Sequence, residues 1–357
     1  MRVVFIFGEL SSHATNRVID FKNAGFDVEV LAFKRKGRSA TKPTSFNVTE
    51  LGEIEDEKYL NRLSLYRRTI RSIVNKYGRD DVYYFVSGLD LAIFAYKYVG
   101  RQKFFYEEAD LVHTYIKNRV IRNILEWTDR YVIRKSKYTL LTSDGFAKYH
   151  FGDKIPSNVR VVTNRLNSAI LDLNSSRKGL FNPDKIKIGF VGYPRFDSVF
   201  NFIDCYCKNF PSYEFHVYGA PVEDEFKKLE KYENCIFHGR FSNPIDLSGI
   251  YSNLDLVLST YDVKYDNVRY AEPNKIYEAI YFETPIIVSE GTFLAEKVNR
   301  MNIGFAINPL DNDAIVSFIK GLTPGKIADI QNSCAGYPKD ITINDNSKLM
   351  NEILENC

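Results

Sequence analysis

No apolar run in this sequence approaches the ~20 residues that a helix needs to cross a bilayer, so no membrane-spanning helix is expected. Cysteine is scarce. Cys205, Cys207, Cys235, Cys334 and Cys357 are odd in number and show no C-x-x-C spacing, which argues against a disulfide or zinc framework and expects a reducing, cytoplasmic setting. Tryptophan occurs once. Low-complexity segments and short repeats are absent. The basic residues belong to no recognisable nucleic-acid module, so a nucleic-acid partner is not expected. The opening Met1-Arg2-Val3-Val4-Phe5-Ile6-Phe7-Gly8 is too short for a signal peptide and reads as a first strand.

What is present is the composition of an ordinary globular protein, 45% hydrophobic and 26% charged, and 357 residues suit two domains better than one. Tyr (24) and Phe (26) predict an aromatic-rich core. The net charge of +3 is unevenly spread. Residues 1–175 hold 29 Lys/Arg against 20 Asp/Glu, and the remainder holds 19 against 25. Such asymmetry expects the first half to face something anionic, such as a membrane surface or a lipid-linked phosphate.

Both halves alternate short apolar runs with helical stretches. In the first, residues 3–7, 27–33, 82–86, 104–106, 138–142 and 159–162 read as strands, with helices near 58–77, 89–99, 114–135 and 143–151. In the second, strands are expected at 186–192, 214–218, 236–239, 254–258, 286–289 and 304–307. Helices are expected near 198–208, 222–231, 245–251, 293–301, 311–321 and 346–357. Repeated βα units imply parallel sheets with right-handed crossovers. The polar, turn-rich stretch that begins at Asn174 marks the boundary. The expected division is residues 1–174, a linker at 175–184, a second domain over 185–340 and a final segment, 341–357. Ligands of such sheets bind beyond the carboxyl ends of the strands. Two domains set those ends across a cleft.

The most informative segment is Glu272-Pro273-Asn274-Lys275-Ile276-Tyr277-Glu278, which opens a short helix that runs into a buried strand. Proline fits a first helical turn, where its missing N–H is not needed. A helix N-terminus suits phosphate, and Lys275 adds a full positive charge there. Glu278, one turn on, can accept hydrogen bonds from sugar or ribose hydroxyls. Diphosphate on one side and hydroxyls on the other is the chemistry of a nucleotide-sugar. The plain alternative is a surface helix with one solvated Lys–Glu pair.

These segments, taken with His13-Ala14-Thr15-Asn16-Arg17, Phe105-Tyr106-Glu107-Glu108-Ala109-Asp110 and Ile188-Gly189-Phe190-Val191-Gly192, resemble family 4 glycosyltransferases of the GT-B fold. The resemblance covers nearly the whole chain, and Pro273-Asn274-Lys275-Ile276-Tyr277-Glu278 is its most specific piece. It implies an α/β chain of two Rossmann-like βαβ domains facing across a cleft. The N-terminal one would hold the acceptor and the C-terminal one the donor, with the last helix packing back on the first domain. The implied activity is hexosyl transfer from a UDP- or GDP-sugar to a saccharide acceptor without a metal or other cofactor. Protein cations must then stabilise the leaving diphosphate.

Carried over residue by residue, Gly8, Gly192, Arg195, Asn274, Lys275, Tyr277 and Glu278 bind the donor, and Glu278 is the second glutamate of the family's E-x7-E pattern. The first is replaced by Tyr270, which leaves Tyr270, Glu272 and His13 as candidates for the donor sugar. Glu107, Glu108 and Asp110 end a strand, where one is the candidate general base if the anomeric centre inverts. If it is retained, they bind the acceptor. The helix holding Lys117, Arg119, Arg122, Arg130, Arg134, Lys135 and Lys137 also carries Ile116, Val120, Ile124, Trp127 and Tyr131. With Lys34-Arg35-Lys36-Gly37-Arg38 it forms a candidate contact with anionic lipid at the inner face of the membrane, and a lipid-linked saccharide is the favoured acceptor. The alternatives are a GT-B nucleotide-sugar epimerase and a non-catalytic nucleotide- or sugar-binding protein.

Overall fold

The computed structural model describes residues 1–36, 45–55, 59–173, 181–220 and 224–357. Residues 175–180 of the expected linker, Gly37 and Arg38 of the basic run, Pro221 and the start of the helix expected at 222–231 lie outside them. The chain divides into two compact units, Met1–Thr163 with Asp345–Cys357, and Asn164–Asn344.

The first unit runs β1 (Arg2–Phe7), α1 (Ser12–Asn23), β2 (Asp27–Arg35), β3 (Thr49–Ile54), α2 (Tyr59–Tyr77), β4 (Val82–Ser87), α3 (Leu89–Val99), β5 (Phe104–Glu108), α4 (Arg119–Lys135), β6 (Tyr138–Leu141), α5 (Asp144–Phe151) and β7 (Val159–Val161). All its strands are parallel, in the order β3-β2-β1-β4-β5-β6-β7. Both faces of such a sheet are covered, which is why Val3, Val4, Phe5, Ile6 and Phe7 are all apolar and all fully buried. On one face Phe5 stacks on Phe85 at 4.8 Å and meets Phe21 of α1 edge-on at 5.3 Å. α1 starts where it does because the Ser11 hydroxyl accepts the Ala14 N–H at 3.1 Å. The edge strand β3, Thr-Glu-Leu-Gly-Glu-Ile, is mostly exposed and carries no apolar run, so the sequence pattern hides it.

The second unit runs β8 (Lys187–Val191), α6 (Asp197–Asn209), β9 (Glu214–Tyr218), α7 (Asp224–Lys227), β10 (Cys235–Gly239), α8 (Leu247–Ser252), β11 (Leu256–Ser259), α9 (Asp266–Tyr270), α10 (Lys275–Tyr281), β12 (Ile286–Ser289), α11 (Phe293–Met301), β13 (Gly304–Ile307), α12 (Asn312–Lys320) and α13 (Pro324–Ala335). Its parallel sheet has the order β10-β9-β8-β11-β12-β13. Both sheets thus start in their middle, grow to one side, then cross to the other. That is the doubly wound order of nucleotide-binding domains, with the crossing point between β1 and β4 in one and between β8 and β11 in the other. Ile188, Phe190, Phe215, Val217, Leu256 and Leu258 pack on α6, whereas Val191, Val257, Ile286 and Val288 pack toward α8, α10 and α11.

Residues 164–173, expected in the first domain, contribute Leu166 and Ile170 to the core of the second unit. Leu166 also exchanges backbone hydrogen bonds with Thr342 (2.9 Å) and Asn344 (2.7 Å). The final helix, α14 (Ser347–Asn356), buries Met350 and Ile353 in the core of the first unit.

Candidate functional site

In the second unit the crossing point lies between the carboxyl ends of β8 and β11. Gly192 follows β8, with φ +134°. Its N–H donates to the Tyr218 carbonyl at 2.7 Å, and a methyl group at Gly219 (φ +151°) would fall 1.8 Å from the Gly192 carbonyl oxygen. The strand ends therefore pack backbone on backbone there, which only glycine permits. Across the switch the loop after β11 reaches back to α6, where the buried Asp262 carboxylate accepts the Ser198 N–H at 3.0 Å. This fixed anion already occupies that amide at the N-terminus of α6. Beside it the buried hydroxyls of Ser198 and Thr260 have no hydrogen-bond partner among the described residues.

Lys275, at the start of α10, points to Gly192. A methyl on Gly192 would sit 3.1 Å from its Nζ, which also lies 5.7 Å from the centre of the Phe190 ring. The side chain as a whole is half-buried, but its ammonium is desolvated. Burial lowers its pKa, and the nearby Glu278 partly offsets that. Among the described residues no carboxylate comes within ion-pair distance of it. Glu278 is buried, and its carboxylate accepts from the Tyr251 hydroxyl and from the Asn274 amide at 3.0 Å. The Ile276 and Tyr277 N–H groups close tight turns on Pro273 and Asn274, at 3.4 and 3.0 Å. The positive character of this corner therefore rests on Lys275 more than on free helix amides.

The rest of the block turns another way. Tyr277 is buried, its hydroxyl donates to Glu272, and its ring is flanked by Arg165 (5.6 Å) and Lys297 (5.7 Å). Glu272 also accepts from Lys297 at 2.7 Å, and its second carboxylate oxygen has no partner among the described residues. Tyr270 ends α9 half-buried. Arg195 is exposed over the Phe196 ring, at 5.0 Å.

In the first unit Gly8 follows β1, with the Tyr66 hydroxyl 2.9 Å from where a side chain would begin. Consecutive strand residues face opposite sides, and this separates the two glutamates of β5. Glu107 accepts from His13 Nε2 at 3.0 Å and Arg17 Nε at 2.8 Å. Arg17 also donates to Asp20 at 3.0 Å, and the Asn346 amide donates to the same Asp20 oxygen at 2.8 Å. Burial would raise the pKa of Glu107, but His13 and Arg17 outweigh it and hold the carboxyl at about 2. So acidic a carboxylate is a weak proton acceptor at neutral pH, and it suits orienting His13 better than abstracting a proton. Glu108 instead faces His150 at 2.9 Å, and burial followed by Asp129 raises its pKa well above the carboxylate range. Asp110 is exposed beyond the strand. The three candidate carboxylates thus occupy three different environments.

Arg17 and Asp20 had a signal in the sequence, since they follow His13 by one and two turns on the same helix face. Asp129 had little, being one of two acids, with Glu126, among the bases of α4. In β9 and β10, His216 and His238 share a hydrogen bond of 2.9 Å, and Tyr218 stacks on His238 at 4.1 Å. Burial and His238 push His216 down to about 4, so the pair is neutral at pH 7.

No protein-family model and no curated protein matches the sequence. Solved structures do match in shape. A sucrose-phosphate synthase from Thermosynechococcus elongatus superposes with a TM-score of 0.69 at 13% identity, over 99% of this chain and 98% of its own. Anabaena HepE, solved in complex with UDP and glucose, gives 0.66 at 13% identity, over 99% and 98%. The lipopolysaccharide outer core galactosyltransferase WaaB gives 0.61 at 17% identity, over 96% and 93%. With two parallel, doubly wound sheets and these likenesses along almost its full length, the chain has the GT-B fold.

Proposed function

We propose that this chain is a glycosyltransferase that moves a sugar from a UDP- or GDP-sugar to a saccharide acceptor. The observation that carries this reading is the desolvated Lys275 ammonium, which lies against Gly192 with no carboxylate in ion-pair reach among the described residues. Such a cation favours an anionic ligand, and a diphosphate fits beside glycine backbone with Arg195 as a second, mobile-ended cation. Glu278 has two of its roughly four lone-pair sites filled, which leaves acceptors for ribose hydroxyls. Protein cations then take the charge of the leaving diphosphate, with no metal in that role. Residues 185–340 are assigned to the donor and residues 1–174 to the acceptor, with His13, braced by Glu107, kept as a candidate contact for the donor sugar. A protein of the same fold solved with UDP and glucose supports the donor class.

The test is a titration of the full chain with UDP, GDP and ADP, followed by incubation of the matching nucleotide-sugars with saccharide acceptors. Saturable binding of UDP or GDP and acceptor-dependent release of that nucleotide are expected. Epimerised sugar from donor alone would favour the epimerase, and binding without turnover the binding protein. No binding at millimolar nucleotide overturns the reading.

The acceptor side of the proposal is a lipid-linked saccharide at an anionic membrane. On α4, Val120 (68% exposed), Ile124 (57%) and Trp127 (66%) form one outward stripe at helical spacing. The exposed Val112 and Tyr115 precede it, and Lys117, Arg119 and Arg134 are exposed on the same segment. An apolar stripe edged with bases is the pattern of a helix lying in a membrane interface. Trp127 is the sole tryptophan, so its fluorescence reports this face alone. Vesicles containing anionic lipid should shift that emission to the blue and co-sediment the chain, neutral vesicles much less. Ile124→Ser with Trp127→Ser should weaken partitioning onto the vesicles roughly 30-fold, for the loss of roughly 2 kcal/mol of buried apolar surface. Equal binding to neutral and anionic vesicles, or undiminished binding of the double variant, removes the membrane assignment.

A further inference from the structure

The described residues also bring metal-ligating atoms together in the first unit. Glu108 at the end of β5, Asp129 in α4 and His150 in α5 are all buried, and one ligand atom of each lies within 4.8 Å of the others. His150 Nε2 is 2.9 Å from Glu108, and Asp129 accepts the Tyr106 hydroxyl at 3.0 Å. A second buried imidazole lies beside these three. His113 is 1% exposed, and its Nδ1 is 3.5 Å from Asp129. Neither of its ring nitrogens, nor His150 Nδ1, has a hydrogen-bond partner among the described residues.

Buried carboxylates are costly unless a cation compensates them. Among the described residues no lysine or arginine pairs with Glu108 or Asp129; their ionic neighbours are the imidazoles. One divalent ion supplies two positive charges for two carboxylates and takes the place of the proton between His150 Nε2 and Glu108. Two carboxylates and one imidazole form a mixed oxygen and nitrogen set that suits Zn2+ and its first-row neighbours.

We propose that Glu108, Asp129 and His150 bind one divalent transition-metal ion, Zn2+ by preference, as a clamp that fastens α4 and α5 to β5. Three protein ligands leave a fourth position, which water or the neighbouring His113 fills. Binding displaces whatever protons the ligating atoms carry, and these leave to solvent.

The test uses the full chain without an affinity tag, dialysed against chelator and titrated with zinc chloride and, separately, cobalt chloride. Elemental analysis should find about one zinc per chain after gel filtration, and Co2+ should develop the visible absorption of a four-coordinate site. The melting temperature should rise by roughly 5 °C at saturating zinc. Glu108→Gln and His150→Ala should each lower zinc retention at least about tenfold, whereas His216→Ala retains it fully. A wild-type chain that keeps less than about a tenth of an equivalent after tenfold excess zinc, with no melting shift, overturns the proposal. So does undiminished retention in both ligand variants.

Discussion

Replacing Lys275 with methionine should weaken UDP or GDP binding by roughly 10- to 100-fold while leaving the second unit folded, the range expected for losing one charge-assisted contact to phosphate. The expectation for stability is as specific as that for binding. The ammonium is desolvated and has no paired carboxylate among the described residues, so its removal relieves burial of a charge instead of breaking an ion pair. Methionine keeps most of the aliphatic stem against Phe190. Melting temperature should therefore hold or rise slightly as affinity falls. Lys275→Arg is not a conservative test, because a planar guanidinium presents its donors in a fork instead of a compact ammonium. Calorimetry that gives methionine and wild type the same affinity within twofold would move the phosphate site elsewhere.

The largest loss of stability is expected at Gly219. An alanine methyl there would lie 1.8 Å from the Gly192 carbonyl oxygen and 2.7 Å from its carbon, and the residue's φ of +151° already disfavours a side chain. The obstacle is backbone, not the flexible end of a side chain, so β8 and β9 must part. That would break the 2.7 Å hydrogen bond from the Gly192 N–H to the Tyr218 carbonyl. Gly219→Ala should cost about 3 kcal/mol or more. Gly192→Ala meets only the mobile Lys275 terminus at 3.1 Å, apart from its own positive φ, and should disturb binding more than folding. Chemical denaturation separates the two, with each unit fitted as its own transition. A Gly219→Ala midpoint unchanged from wild type would refute the close approach.

The fold was legible wherever burial writes continuous apolar runs. Residues 3–7 and 82–86 could be read directly, because both faces of a parallel strand need hydrophobic cover. β3 escaped because an exposed edge needs none, and α9 escaped because five polar-flanked residues read as loop. At the site, Lys275 and Glu278 were readable as neighbours on one helix. The meeting of His13, Arg17 and Glu107 was not, since it depends on β1 and β5 ending at the same edge, a fact of strand order. Local spacing also could not show that Tyr277 turns inward to Glu272 and Lys297.

The return of α14 to the first unit has a consequence for synthesis on the ribosome. Translation supplies the strands of the first sheet early, but Met350 and Ile353 of its core arrive last, after the whole second unit. The second unit is contiguous, and its two ends are tied to each other by the Leu166 bonds to Thr342 and Asn344. It can close as a self-contained insert while the first unit still lacks one wall. The half of the protein that begins first is thus the half completed last, and a nascent chain stalled just before residue 347 would leave Tyr83 and Tyr138, which hydrogen-bond to Cys357 and Glu352, without that cover.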